Sequence, residues 1–284
     1  MNQPGNPTPT GRPRAVLLGA VLRFARENAR FGVRELARRI GITPAIVSSW
    51  ELGQRSPGPD YVASILGALG VTGNARHQIL QIARTTDPDV VVLAQPHPSH
   101  QAALENFADS VIDWHLTLVP EPLQTLEYTR AVLMAAGHTS REAASVADAR
   151  AEHRITFGPK TPPRVAYIGE AAFRRSVAPA AVAAHQFSSL NHLTAAAPAV
   201  SIRVVPTETT YHPGLAGSFT HYTMRNGLIA YLSHHGTGSF VSGNGPYSRV
   251  INQLDGIALS AAESRAVIEE CIVKLSYEPP RSMR

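Results

Sequence analysis

Arginine side chains, whose guanidinium groups bind phosphate, are concentrated in the first 86 residues of this 284-residue sequence. This segment holds 11 arginines and no lysine against 4 acidic residues, a formal net charge of +7, whereas the rest of the chain carries −2. A basic segment joined to a nearly neutral body is typical of a protein that binds the backbone of nucleic acid. A basic face kept only for solubility is the alternative.

Histidines are the other residues that suggest chemistry, since imidazole binds Zn²⁺ where several ligands converge. Cys271 is the only cysteine and no HExxH motif is present. The sequence also has no P-loop, nucleophile elbow or dinucleotide-binding motif. We therefore expect no metal, no cofactor and no enzyme activity, although a metal site or an enzyme tethered to DNA stays an alternative. The histidines concerned are His97, His100, His212, His221 and the pair His234-His235.

The composition predicts a folded cytoplasmic protein of two domains. Hydrophobic residues make up 44% of the chain, and no apolar run approaches the roughly 20 residues of a membrane-spanning helix. Residues 1–13 are polar and rich in Pro and Gly, without the apolar core of a signal peptide. A single cysteine excludes a disulfide framework.

Hydrophobic periodicity predicts five helices in the basic segment. Gly41 and Gly53 are predicted to end the second and third of them, Thr43 to cap the third, and Pro44 to occupy its first turn. The predicted spans are Val16 to Glu27, Val33 to Ile40, Thr43 to Leu52, a segment starting near Pro59, and Asn74 to Arg84.

The second and third predicted helices are separated by Gly41-Ile42-Thr43, which is the spacing of a helix-turn-helix. Ala37 is small enough to let the helices approach, and Val47 with Trp50 anchors the second of the pair. A purely structural helical hairpin is the alternative. Through these residues and the count of five helices, the segment from Val16 to Thr86 resembles the Xre/Cro family of lambda- and 434-repressor-like regulators.

The resemblance implies that the helix from Thr43 to Leu52 lies in the major groove of double-stranded DNA. Because proline, alanine and serine discriminate weakly between base edges, we expect modest direct readout, with more affinity from arginines and duplex shape. One such module reads only a half-site, so a homodimer on a palindrome is expected. The predicted DNA-binding residues are Arg34, Arg38, Thr43, Pro44, Ala45, Ser48, Ser49, Gln54 and Arg55.

The same resemblance implies an internal ion pair between Arg26 and Glu51, which would link the first and third helices and orient the reading helix. Two unconnected surface charges are the alternative.

The remainder of the chain predicts a hinge followed by an α+β domain. Residues 87–100 contain three prolines and no helical period, which indicates a hinge that packs on one domain. Short β-branched segments bounded by Gly or Pro then predict a small, mostly antiparallel sheet. The predicted helices are Ala102 to Trp114, Glu127 to Ala136, Ser140 to Phe157, Ala180 to Ala196 and Ala261 to Leu275. The predicted strands are Arg164 to Ile168, Val200 to Val205, Ser218 to Thr223, Leu228 to Leu232 and Ser239 to Ser242.

Four motifs in order make this region similar to the effector-like domain of the Scr1-type antitoxin-like regulators of high-GC bacteria. That resemblance implies a domain that senses an effector or binds a small partner protein. The motifs are Leu118-Val119-Pro120 with Leu123-Gln124-Thr125 and Tyr128; Glu170 to Arg175; Val204-Val205-Pro206; and His212 to Phe219.

Four residues are candidates for an effector or partner site: Glu170, Arg174, His212 and Tyr222. Glu170 and Arg174 lie one helical turn apart, so an ion pair between them is the alternative. For His212 the alternative is a tight structural turn that enters a strand.

Together these patterns predict a tail over 1–13, a helix-turn-helix domain over 14–86, a hinge over 87–100, an α+β effector and dimerisation domain over 101–278, and a tail over 279–284. The predicted function is a sequence-specific DNA-binding transcription regulator with no membrane partner. An antitoxin-like protein that binds a small partner and regulates its own synthesis is the alternative.

Overall fold

A computed structural model describes residues 11–152, 161–175, 177–234 and 236–277. It divides into two compact units: unit 1 comprises Met1–Val111 with Thr220–Tyr247, and unit 2 comprises Ile112–Phe219 with Ser248–Arg284. Most of the predicted tails, residues 1–13 and 279–284, lies outside the described residues, and so does the end of the helix predicted over Ser140 to Phe157. No helix in the described ranges is both long and apolar enough to cross a membrane.

The described residues form twelve α-helices, seven strands and two short 3-10 helices. The helices are α1 (Pro13–Asn28), α2 (Val33–Arg39), α3 (Pro44–Glu51), α4 (Pro59–Ala68), α5 (Gly73–Arg84), α6 (Pro98–Phe107), α7 (Leu126–Ala135), α8 (Ser140–Glu152), α9 (Ala171–Arg174), α10 (Ala180–Ala196), α11 (Pro246–Ile257) and α12 (Ala261–Tyr277). The strands are β1 (Val90–Ala94), β2 (Ala108–His115), β3 (Arg164–Gly169), β4 (Val200–Val205), β5 (Phe219–Met224), β6 (Gly227–His234) and β7 (Thr237–Ser242). The 3-10 helices are Glu121–Leu123 and Pro213–Ala216.

The five predicted helices of the basic segment are confirmed as α1 to α5. Pro13, Pro44 and Pro59 each occupy the first turn of a helix, where the missing N–H is not needed. Gly41 and Gly53 follow α2 and α3 with φ angles of 73° and 67°, the left-handed conformation that glycine adopts at little cost. The segment therefore folds as its sequence pattern predicts.

Unit 1 also contains an antiparallel sheet with the strand order β1-β7-β6-β5. Buried side chains of α1 belong to the same apolar cluster as Leu93 of β1, Tyr231 of β6 and Phe240 of β7. The helical bundle and these strands consequently share one hydrophobic core.

The segment predicted as a hinge contains a strand. Val90–Ala94 pairs with β7, placing Val92 opposite Ser239, and Val91 and Leu93 are fully buried. The run of β-branched residues explains the strand, because alternate side chains of such a run pack well on a pleated surface. The compact units accordingly divide the chain at different places from the predicted domains.

The helix predicted over Ala102 to Trp114 is wrong in its second half. Helix α6 ends at Phe107, and the next eight residues form β2. Val111, Asp113 and Trp114 of β2 are buried. Helix α11 was not predicted either. Its apolar residues Val250, Ile251, Leu254 and Ile257 recur at helical spacing, so the sequence does contain the pattern of a helix here.

Unit 2 combines strands with packed helices. Strand β3 pairs in parallel with β4, with Ala166 opposite Ile202. Apolar residues of α10 and α12, among them Phe187 and Ile268, bury this pair. Of the four pairings with a described register, three are antiparallel and this one is parallel, which confirms a mostly antiparallel α+β fold.

Candidate nucleic-acid interface

Helix α3 has one buried face and one exposed face. Val47 and Trp50 are buried, whereas Pro44, Ala45 and Ile46 are exposed. All three exposed side chains are apolar, so direct contact with bases is limited to thymine methyl groups and groove shape. The exposed face of α3 can enter a groove, but its first turn carries no side-chain hydrogen-bond donor.

Thr43 lies immediately before α3 in an extended conformation, the position of an N-cap. The prediction that it caps the helix is wrong for the side chain, which makes no capping hydrogen bond. Pro44 removes one of the N–H groups at this end of the helix. The exposed Thr43 hydroxyl is thus not committed to a helix cap.

Ser48 and Ser49 are both partly exposed on α3. The Ser49 hydroxyl donates a hydrogen bond of 2.8 Å to the carbonyl oxygen of Ile46 in its own helix. Its oxygen can still accept a hydrogen bond, but its proton is engaged. Ser48 therefore retains more freedom to donate to a base edge than Ser49.

Exposed arginines flank α3 on both sides. Arg34 and Arg38 are exposed on α2, while Leu36 and Ala37 of the same helix are buried. Gln54 and Arg55 are exposed in the turn after α3, where their backbone amides donate to the Ser49 carbonyl. These residues give the helix-turn-helix a positively charged border suited to phosphate contacts.

Arg26 and Glu51 form the ion pair that links α1 to α3. The Arg26 Nε and Nη2 atoms donate to the two Glu51 carboxylate oxygens at 2.6 and 2.8 Å. Arg26 Nη1 donates to the carbonyl oxygen of Phe31 at 2.8 Å. The hydrogen bonds to Glu51 raise the pKa of Arg26 above its usual value despite burial, so the guanidinium stays charged.

Close backbone packing holds α3 against α1. A Cβ on Gly19 would lie 2.4 Å from the carbonyl oxygen of Trp50, and a Cβ on Gly53 would lie 2.8 Å from the Cα of Val16. Both distances are shorter than real side chains tolerate. Glycine at these two positions lets α3 approach α1 directly.

Glu170 and Arg174 of unit 2 pair with each other. Arg174 Nε donates to Glu170 at 2.6 Å, and the Thr207 backbone amide donates to the other Glu170 oxygen at 3.0 Å. The Thr207 amide, followed by Arg174, holds the pKa of Glu170 below its ordinary value. The carboxylate therefore remains ionised and internally bonded.

His212 and Tyr222 are buried in different units. In unit 2 the His212 ring packs edge-on against Trp114 with the ring centroids 5.6 Å apart, and Trp114 Nε1 donates to the Gly214 carbonyl at 2.7 Å. Burial lowers the pKa of His212. Tyr222 is fully buried in β5 of unit 1. Both side chains are almost inaccessible to solvent.

The histidines proposed above as alternative metal ligands do not form a metal site where they can be assessed. Within the described ranges, no three His, Cys, Asp or Glu side chains are grouped so that they could hold an ion. His235 lies outside those ranges.

Asn226 is a further residue of this region that sequence reasoning missed. It lies between β5 and β6, and its side-chain amide donates a 2.7 Å hydrogen bond to the carbonyl oxygen of Leu52 at the end of α3. The two residues are 174 positions apart, so no local pattern could indicate the contact.

Two family models match different parts of the chain. Residues 17–79 match a model described as a helix-turn-helix domain, which supports a DNA-binding regulator. Residues 99–270 match a model described as a domain of unknown function, DUF5753. A search of curated proteins finds no match. Because the second match covers more than half of the chain, the protein belongs to the DUF5753 family.

Proposed function

We propose that the protein is a sequence-specific transcription regulator of the Xre/Cro type that binds double-stranded DNA through α2, α3 and the turn after α3. The observation that carries this proposal is the geometry of α3. Its apolar face is anchored by Val47 and Trp50, and its opposite face is exposed. Exposed arginines border it on both sides in a segment of net charge +7.

Affinity in this proposal comes mainly from phosphate contacts. Arg34, Arg38 and Arg55 are exposed, and none of them forms an ion pair with another described residue. Each guanidinium that binds a phosphate releases condensed counterions, which makes binding steeply dependent on salt. The preference for one DNA sequence over another comes in this proposal from hydrogen bonds of Ser48 and Ser49 to bases. Contacts of Pro44, Ala45 and Ile46 with thymine methyl groups add to it.

The Arg26–Glu51 pair orients the reading helix in this proposal. Its two side chains are 9% and 7% exposed, so solvent screens the pair little. The bidentate geometry fixes the rotation of α3 relative to α1, and with it the direction in which Ser48 faces.

The experiment is a titration of the full chain against its preferred genomic DNA site, identified first by genome-wide mapping of bound sites. Arg38→Gln and Arg55→Gln should each weaken binding to all sequences similarly and reduce the slope of log affinity against log salt by about 1. Ser48→Ala should instead change the ranking of sites.

Three outcomes would contradict the proposal: no bound sites in the genome, unchanged salt slopes for both arginine variants, or a ranking of sites that no α3 substitution changes. The matched control is Arg141→Gln, which removes an exposed arginine of α8 in unit 2 and should leave the salt slope unchanged.

We further propose that the protein acts in the cytoplasm as a homodimer, by binding rather than by catalysis and without a cofactor. Two copies suit a palindromic operator, since one helix-turn-helix reads only a half-site. The DUF5753 region would then receive a signal or a partner.

An antitoxin-like interaction protein is the second candidate function. One observation in unit 2 favours it: Tyr211 and Leu215 expose 82% and 48% of their surface on either side of buried His212. Large exposed apolar side chains near one another suit a protein partner. Co-purification from native cells separates the two functions, because only an interaction protein requires a stoichiometric small partner.

A further inference from the structure

We propose that Arg225, in the turn between β5 and β6, binds a DNA phosphate beside the end of the reading helix. Arg225 lies outside residues 17–79, which match the helix-turn-helix model. The inference rests on the proposed function and extends the DNA-binding surface into the DUF5753 region. The evidence for the inference is the set of contacts that attach this turn to α3.

The turn is attached to α3 by a direct hydrogen bond. Asn226 Nδ2 donates to the Leu52 carbonyl at 2.7 Å, immediately before Gly53 and the exposed residues Gln54 and Arg55. Leu52 O is one of the last carbonyls of the helix, which have no partner within the helix itself. Arg225, the neighbour of Asn226, is therefore carried to the same end of α3 as Arg55.

Close packing against the start of α1 limits how far the turn can move. A Cβ on Gly11 would lie 1.8 Å from the Asn226 carbonyl oxygen, and a Cβ on Gly227 would lie 2.9 Å from the Gly11 carbonyl oxygen. The hairpin is also tight, because Met224 pairs directly with Gly227 across Arg225 and Asn226. The backbone that carries Arg225 is held by both α1 and α3.

Three exposed arginines and two exposed aspartates, Asp87 and Asp89, lie near these contacts along the chain, since the Arg14 backbone amide of α1 donates to the Pro88 carbonyl. Arg12, Arg55 and Arg225 are all exposed, and each is next to or within three residues of one of these contacts. Glu51, the nearest acidic residue in the α3 sequence, is already paired with Arg26. A helix-turn-helix docks with its reading helix in the major groove, so its flanks face the phosphates that border the groove. A phosphate is the anion that this position would meet.

The test measures binding of the full chain to a short fluorescent duplex of arbitrary sequence, because phosphate contacts do not depend on sequence. Arg225→Gln should reduce the slope of log affinity against log salt by about 1. The ratio of wild-type to variant affinity should then shrink by about 3.5-fold between about 50 and 200 mM salt. Thermal unfolding of the variant should match wild type, since the side chain is exposed.

Two further variants separate the possible results. Arg225→Lys keeps the charge and should restore most of the slope, whereas Arg141→Gln in α8 should not change it. If Arg38→Gln and Arg55→Gln lower the slope but Arg225→Gln does not, the inference about Arg225 is overturned and the proposed function stands. If none of the three changes the slope, the proposed function fails as well.

Discussion

Unit 1 and unit 2 place their charged groups differently. On α2 and after α3 in unit 1, arginines stand exposed at the border of a helix-turn-helix. In unit 2, Arg164 of β3 donates to Asp113 of β2 at 2.7 Å, and both side chains are almost completely inaccessible to solvent. Exposed arginines can exchange water for phosphate oxygens at little cost, whereas a buried pair is already satisfied and serves the fold. The contrast is between these two groups of arginines and not between the units as wholes, because unit 1 also buries the Arg26–Glu51 pair and unit 2 also exposes Arg141.

Breaking the buried Arg164–Asp113 pair should have the largest effect on the stability of the protein. Arg164→Met leaves the Asp113 carboxylate in an interior site with its principal charge partner removed, so we expect a loss of about 3–5 kcal/mol in the free energy of unfolding. Urea denaturation measures it. The matched control is Arg174→Met, which breaks the more exposed pair with Glu170 and should cost less than about 1 kcal/mol.

A double variant sharpens this test. Asp113→Leu combined with Arg164→Met removes both charges and should be more stable than Arg164→Met alone. Equal losses for Arg164→Met and Arg174→Met would mean that the buried pair is no more important than a surface one.

Lowering the pH should destabilise unit 1 through His100 of α6. The expected loss of stability is smaller than that from breaking the buried ion pair. Burial, and then the neighbouring His97, lowers the pKa of His100 to about 3. Because the unfolded chain takes up this proton near pH 6.5 and the folded chain does not, stability is complete above that pH and falls as the pH is lowered. One such group costs about 2 kcal/mol between pH 7 and pH 5.

The measurement is urea denaturation at both pH values, on wild type and on His100→Gln. The variant should lose about 2 kcal/mol of the pH dependence. His192→Gln is the control, since His192 is exposed in unit 2 and should leave the dependence unchanged. An identical dependence in wild type and His100→Gln would show that His100 is not held neutral by burial.

Two threonines at the starts of helices give the smallest expected effect. Thr125 accepts a hydrogen bond from the Tyr128 amide at the start of α7, so Thr125→Ala should cost roughly 1 kcal/mol. Thr43 makes no such bond, and Thr43→Ala should change stability by less than about 0.5 kcal/mol. Thermal unfolding of the two variants compares them, and equal losses would contradict the difference between the caps.

Local signals account for the part of the fold that was predicted. The spacing of Leu36, Ala37, Val47 and Trp50 specifies which helix faces are buried, and Gly41 allows the turn between the helices. The limit of such signals is visible at Val90–Ala94 and in the second half of the helix predicted over Ala102 to Trp114. A short apolar run has no period of its own, so its state depends on the strands available for pairing.

The candidate site shows the same limit. Exposed residues of α2 and α3 could be named from periodicity and family resemblance, but the bond that engages the Ser49 hydroxyl could not. For Thr43, the residue type predicted a capping bond that the side chain does not make. The direction in which a hydroxyl group points depends on the atoms within a few ångströms of it. The residue type alone does not show which atoms those are.

The sequence by itself determined the helix-turn-helix and its charge, because helical period, glycine turns and arginine content act over neighbouring residues. Only the tertiary structure decided that β1 pairs with β7 and that Asn226 holds Leu52 from 174 positions away. Such contacts depend on the packing of the whole unit, since a strand edge or a helix end accepts any partner that the fold brings within hydrogen-bonding distance.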